Sequence, residues 1–275
     1  DGQKMALTFG GSAARDWRGY AIISIKDKKI LVNHSATGGS FAPNMTAFSP
    51  DAQWIVNVLS SGLLEVRGVL DSLTSNSSAV VQVDLGAGER MSQPAWSQSG
   101  RWLSFITWRP RDNEFVTEDP ELAARYVDDR NNGDVVYGAQ IWRAESDGAK
   151  WFGPPKLVVP RETGHTFVYP AISSDDQWIA FTESVCDGPP TARQYYGMSP
   201  CDGYDDPSAK IRLVHIEGTQ RLALNKLNGS ETTTNSWPRF GPGPFSQDPT
   251  IPHLFRGKKL YWIAFSSRRG YGLVV

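Results

Sequence analysis

The sequence predicts an all-β protein, a β-propeller of four-stranded blades, and three observations predict it. The first is a repeat: "QWIVNV", "RWLSFI", "QWIAFT" and "YWIAFS" place Trp54, Trp102, Trp178 and Trp262 in register. The second is a partner position six residues before three of these tryptophans, filled by Phe48, Trp96 and Ile172, with a polar turn in between. The third is period two within the Trp-centred segments, which are apolar on both faces. A strand apolar on both faces is covered on both faces. Sheets stacked radially around an axis satisfy that demand.

Each copy reads apolar strand, turn, apolar strand. The first copy, "DGQKMALTF" at 1–9, is degenerate and carries Lys4 where the others carry Trp. The turns "SPDAQ", "SQSGR" and "SSDDQ" have the composition of short hairpin loops. The last copy begins at "WPRFGP" (237–242) and carries an insertion before "KKLYWIAF". Alternation puts Ile55, Leu103, Ile179, Ile263 and Met5 on one face, followed by Asn57, Phe105, Phe181, Phe265 and Leu7. The opposite face carries the tryptophans and then Val56, Ser104, Ala180, Ala264 and Ala6, residues small enough to let a neighbouring sheet come close. The runs "GYAIISI" (19–25), "AVVQVDLGAGE" (79–89), "AQIWRAESDG" (139–148) and "KIRLVHIEG" (210–218) supply outer strands. Five repeats are visible in one domain spanning 1–275, and both ends fall inside a repeat. The expectation is therefore a ring of six or more blades, lacking flanking residues at both ends.

Composition narrows the function. Apolar residues make up 40% and charged residues 21% of the 275, which suits a packed core. Twenty-eight basic residues against twenty-nine acidic give a formal charge of −1, so no global field draws nucleic acid or an anionic membrane. No apolar run approaches the roughly 20 residues that span a bilayer; "YAIISI" (20–25) is typical of the longest.

Two insertions interrupt the pattern, at 109–138 and 185–209. The first is rich in acids, and Asp119 followed by Pro120 predicts a short helix through Tyr126. Its Asp129-Arg130-Asn131-Asn132-Gly133 stretch lacks the fifth-position ligand of a calcium loop, which favours a solvated loop. The second holds both cysteines, Cys186 and Cys201, each followed by Asp-Gly. A disulfide in an oxidising compartment is expected there, the alternative being two unrelated reduced thiols. Between and beyond the cysteines, Tyr195, Tyr196, Met198, Tyr204, Asp205 and Asp206 form a candidate partner-binding loop, or else simply cover one face of the ring.

Catalytic signatures do not assemble. "GMSPC" (197–201) fails the Gly-x-Ser-x-Gly elbow at its last position, and "GAGER" (86–90) lacks a P-loop lysine. The four histidines lie at least 38 residues apart. No metal, haem or other cofactor is expected.

The repeats "SPDAQWIVNV" and "SSDDQWIAF", with "SSRRG" after the last copy, resemble the WD40-like PD40 repeats of TolB-type β-propellers. The resemblance covers nearly the whole chain and departs at the two insertions. It implies a mainly extracytoplasmic bacterial propeller, periplasmic or secreted, that binds protein partners and carries no catalytic residues. The expected function is thus a non-catalytic scaffold for protein–protein interaction. The alternatives are an accessory propeller of a larger hydrolase or redox complex, and a carbohydrate-binding propeller using Trp108, Trp151, Tyr195 or Tyr196.

Overall fold

Five antiparallel sheets follow one another along the chain. The structure, a computed structural model, describes residues 4–10, 17–35, 41–59, 62–70, 79–80, 88–110, 136–147, 152–185, 203–204, 206–229, 233–243 and 260–268. Blade 1 pairs β1 (Lys4–Gly10), β2 (Trp17–Ser24) and β3 (Lys29–Ser35). Blade 2 orders β4 (Phe41–Phe48), β5 (Trp54–Leu59), β6 (Leu64–Gly68) and β7 (Ala79–Val80). Blade 3 contains β8 (Arg90–Trp96), β9 (Trp102–Trp108), β10 (Gln140–Glu145) and β11 (Lys156–Val159). Blade 4 contains β12 (His165–Ile172), β13 (Trp178–Val185), β14 (Lys210–His215) and β15 (Arg221–Ala223). A single helical turn, α1 (Asn225–Asn228), leads to blade 5, β16 (Asn235–Phe240) with β17 (Ile263–Ser267).

The fold is that of a propeller, with β4, β8, β12 and β16 packed in succession as the innermost strands. The Trp-centred segments are the second strand of each blade, one step out from the axis. Strands β3, β6, β11 and β15 did not stand out in the sequence, being short or weakly patterned. The helix expected at 119–126 lies outside the described residues.

Apolar side chains fill three slabs between successive blades. Ile22, Ile55 and Val69 lie between blades 1 and 2, and Val56, Leu64, Leu103 and Phe105 between blades 2 and 3. Trp102, Ile106, Phe167, Ile179 and Phe181 lie between blades 3 and 4. Trp54 and Trp102 therefore face the next blade, and Ile55, Leu103 and Ile179 face the previous one. Val56, Ser104 and Ala180 are fully buried, as their small size predicts. Trp262 is 66% exposed, with no further sheet against it among the described residues. Each fully buried Phe, Leu or Ile contributes roughly 1.5–3 kcal/mol, so the slabs hold the ring together. Blade 2 breaks the pattern once: Asn57 replaces the recurring Phe, and its buried amide has no hydrogen-bond partner. It sits opposite Glu65, which pairs with the buried Arg67 at 2.6 Å.

The hairpin between first and second strands is the same machine three times. Ser49, Ser97 and Ser173 each accept the amide of the tryptophan five residues on, at 2.9, 3.0 and 2.9 Å. Each serine amide donates back to that tryptophan's carbonyl, at 2.9, 2.8 and 2.8 Å. Ser49 and Ser173 also donate to Asp51 and Asp175, which cap the turn by accepting the amides of Gln53 and Gln177. The turn closes through a left-handed residue: Ala52 (φ 55°), Gly100 (φ 78°) or Asp176 (φ 59°). In blade 5 Gly241 takes the serine's place and keeps only the backbone bond, to Trp262 at 2.8 Å.

The innermost strands share a second irregularity. Gln93, Tyr169 and Trp237, each directly before a proline, adopt φ of 52°, 54° and 51° where the pairing register shifts. Bulky residues rarely enter that region, and each costs on the order of 1–3 kcal/mol. Pairing resumes after the bulge at Ala95, Ala171 and Arg239, which line a cavity between the innermost strands.

A candidate site on the propeller axis

At four equivalent positions of the innermost strands stand Ala47, Ala95, Ala171 and Arg239. Three alanines leave a cavity of about 240 Å³ and one arginine reaches into it. Phe48, Trp96, Ile172 and Phe240 complete much of its apolar wall.

Arg239 donates from Nη1 to the carbonyl of its neighbour Pro238 at 3.1 Å and lies over the Trp237 ring at 5.7 Å. No carboxylate among the described residues pairs with it. Burial among the strands pulls its pKa below the usual arginine value, although the residue is exposed by surface area. A side chain standing in an open channel meets both conditions, and accessibility is the better guide to whether a solute can reach it. The guanidinium stays charged, since arginine is not deprotonated in proteins. The Trp96 ring, by contrast, packs on Phe152 at 5.2 Å, and its buried N–H donates to no acceptor. Trp237, under the guanidinium, is itself fixed by stacking on Tyr169 at 4.9 Å and by the edge of Tyr204 at 5.9 Å.

Polar bonds between hairpins tie off one end of the cavity. Ser99 donates to Asp176 of the next blade, and Tyr261 donates to Asp175 from the blade after. Burial, then the bond to Asp175 and its negative charge, push the Tyr261 hydroxyl up to about 12. Gln98 reaches from blade 3 directly to the carbonyl of Gly241 in blade 5 at 2.8 Å, narrowing the mouth.

The two insertions leave from the opposite end, each between the second and third strands, in adjacent blades 3 and 4. Ion pairs hold their roots. Glu89 accepts from Arg109 at 2.9 Å, Arg161 at 3.1 Å, Thr107 at 2.7 Å and Gln140 at 3.1 Å. Burial alone would raise the Glu89 carboxyl, but these donors outweigh it and hold it below the usual glutamate value. Glu183 pairs with Arg212 at 2.5 Å and lies 3.1 Å from His165 Nδ1. A second cavity, about 250 Å³, lies on the outer strands of blade 4 beside Glu183, Arg212 and Arg221.

Of the partner-loop residues singled out from sequence, Tyr195, Tyr196, Met198 and Asp205 lie outside the described residues, as do Cys186 and Cys201. Tyr204 is exposed and braces Trp237. Asp206 is 1% exposed, and its carboxylate accepts from the amide and hydroxyl of Ser208, both at 2.8 Å, so it caps a turn and presents nothing to a partner. Burial raises its pKa. Trp54, Trp102, Trp178 and Trp262 occupy equivalent places at the start of the second strands. Arg239 escaped the sequence reading. Its signal was the alignment of "TAF", "PAW", "PAI" and "PRF", in which one charged residue replaces alanine. Among the described residues no three His, Cys, Asp or Glu side chains gather as metal ligands would, and no helix is long and apolar enough to cross a membrane.

No protein-family model matches the chain, and no curated protein matches it in sequence. Solved structures do. An oligogalacturonate lyase in complex with manganese is 16% identical, with a TM-score of 0.49 over 84% of this chain and 51% of that one. A putative TolB from Agrobacterium tumefaciens is 15% identical, with a TM-score of 0.38 over 76% of this chain and 62% of that one. A prolyl endopeptidase is 14% identical, with a TM-score of 0.47 over 87% of this chain and 28% of that one. The chain spans about half to three fifths of the first two.

Proposed function

We propose that this chain is a non-catalytic, TolB-like propeller that holds a protein partner in an extracytoplasmic compartment. The observation that carries the reading is the placement of both long insertions on one end of two adjacent blades. Rigid sheets fix the roots of both, through the Glu89 and Glu183 ion pairs. Loops on a rigid scaffold are where binding residues concentrate, and pre-ordered roots lower the entropy lost on association. The compartment and the family are supported by the resemblance of the Trp-centred repeats to PD40 repeats.

The test replaces 186–202 with a short Gly/Ser turn and compares crosslinked products from native envelope extract. A partner captured by the natural chain and lost by the loop variant, with unchanged thermal unfolding, supports the reading. A purified chain that captures no partner yet turns over a small molecule refutes it.

A further inference from the structure

The axial cavity carries an inference beyond partner binding by the loops. Arg239 is exposed, so a solute can reach its charge. The more buried Arg67, Arg143 and Arg161 are each paired with a carboxylate, of Glu65, Glu217 and Glu89. Among the described residues Arg239 has the carbonyl of Pro238 and the face of Trp237, and no carboxylate. It also stands where the other three blades place alanine, so packing of the strand does not call for it. Its position is held from below by the Tyr169–Trp237–Tyr204 stack, which aims the charge and leaves it unneutralised. An accessible guanidinium with no carboxylate partner among the described residues, on one cavity with aliphatic and aromatic walls, suits a solute with an anionic head and an apolar body.

We propose that the cavity is a binding site for a small organic acid, its carboxylate paired with Arg239 and its carbon skeleton against Phe48, Ala171 and Ile172. Guanidinium matches a planar carboxylate through parallel N–H bonds, and a charge-assisted bond is about twice as strong as a neutral one. At about 240 Å³ the cavity is smaller than typical drug-sized sites of roughly 300–1,000 Å³, and the Gln98–Gly241 bond narrows its hairpin end.

Isothermal titration of the intact chain with benzoate and with succinate, each against its neutral amide, tests this. The expected result is binding of at least one acid at least tenfold more tightly than its amide. Arg239→Ala restores the alanine of the other blades and should weaken the acid at least tenfold while leaving the amide unchanged. Arg239→Gln, neutral but similar in length, should do the same, and guards against a folding defect in the alanine variant. Equal affinity for acid and amide, no binding by either acid, or full affinity in folded Arg239→Gln overturns the proposal. Replacing 186–202 should leave acid binding intact, so this inference and the partner-binding reading fail separately.

Discussion

Removing one hydroxyl, Ser173→Ala, interrogates the hairpin that organises each blade. The Ser173 Oγ is buried, accepts the Trp178 amide at 2.9 Å and donates to Asp175 at 2.8 Å. Alanine leaves the Trp178 N–H without its acceptor at a part-buried turn, a loss of about 1–3 kcal/mol. Asp175 is only half-buried and regains water, so most of its share is recovered. The backbone bond from Ser173 N to the Trp178 carbonyl, at 2.8 Å, survives in the variant, as its counterpart does in the Gly241 copy. The expected cost is about 2 kcal/mol, or a fall in Tm of about 4–8 °C for a chain of this size. Urea unfolding should show a lower midpoint at unchanged slope. Ser49→Ala should cost a similar amount. The double variant should be additive within about 0.5 kcal/mol, because the two turns lie in non-adjacent blades and share no partner. A loss below about 0.5 kcal/mol in either single variant would refute the claim that the hydroxyl, and not the backbone pair alone, clamps the turn.

Asp206 gives a pH signature. Its folded pKa is raised by burial, so the folded state binds the proton more tightly than the unfolded one. Its contribution to stability therefore falls as pH rises from about 4 through the raised folded value. Asp206→Asn should remove that fall, so the stability difference between variant and natural chain should grow in the variant's favour across this window. Urea midpoints from pH 4 to 7 check it, and parallel curves would contradict the assignment. Gly218, at φ 77° in the β14–β15 turn, would place an added Cβ 2.9 Å from the Val158 carbonyl oxygen. Backbone cannot swing aside as a side chain can, and the left-handed conformation alone costs about 1–2 kcal/mol. Gly218→Ala should lose at least about 2 kcal/mol in urea unfolding, and a loss under about 1 kcal/mol would show that blade 3 yields there.

Much of the fold was legible because a propeller repeats its chemistry. Strands covered on both faces must be apolar on both faces, so the second strands announced themselves through Trp54, Trp102, Trp178 and their small neighbours Val56, Ser104 and Ala180. Strand β6 did not stand out, since "LEVRG" buries Glu65 and Arg67 as a pair, and their charges mask its apolar pattern. Asp206 shows the converse error. An aspartate beside a tyrosine-rich loop reads as exposed, yet two bonds from Ser208 let it be buried.

Local order was written in the chain itself: alternation, turn composition and the recurrence of Ser and Trp five residues apart set each hairpin and each two-faced strand. Those features depend on neighbours in sequence, so no tertiary knowledge is needed to read them. Only the assembled ring decided that Arg239 meets three alanines and that the two insertions leave from adjacent blades. Each of these brings together residues tens to hundreds of positions apart, and the distance between such groups is set by how the blades pack around their axis.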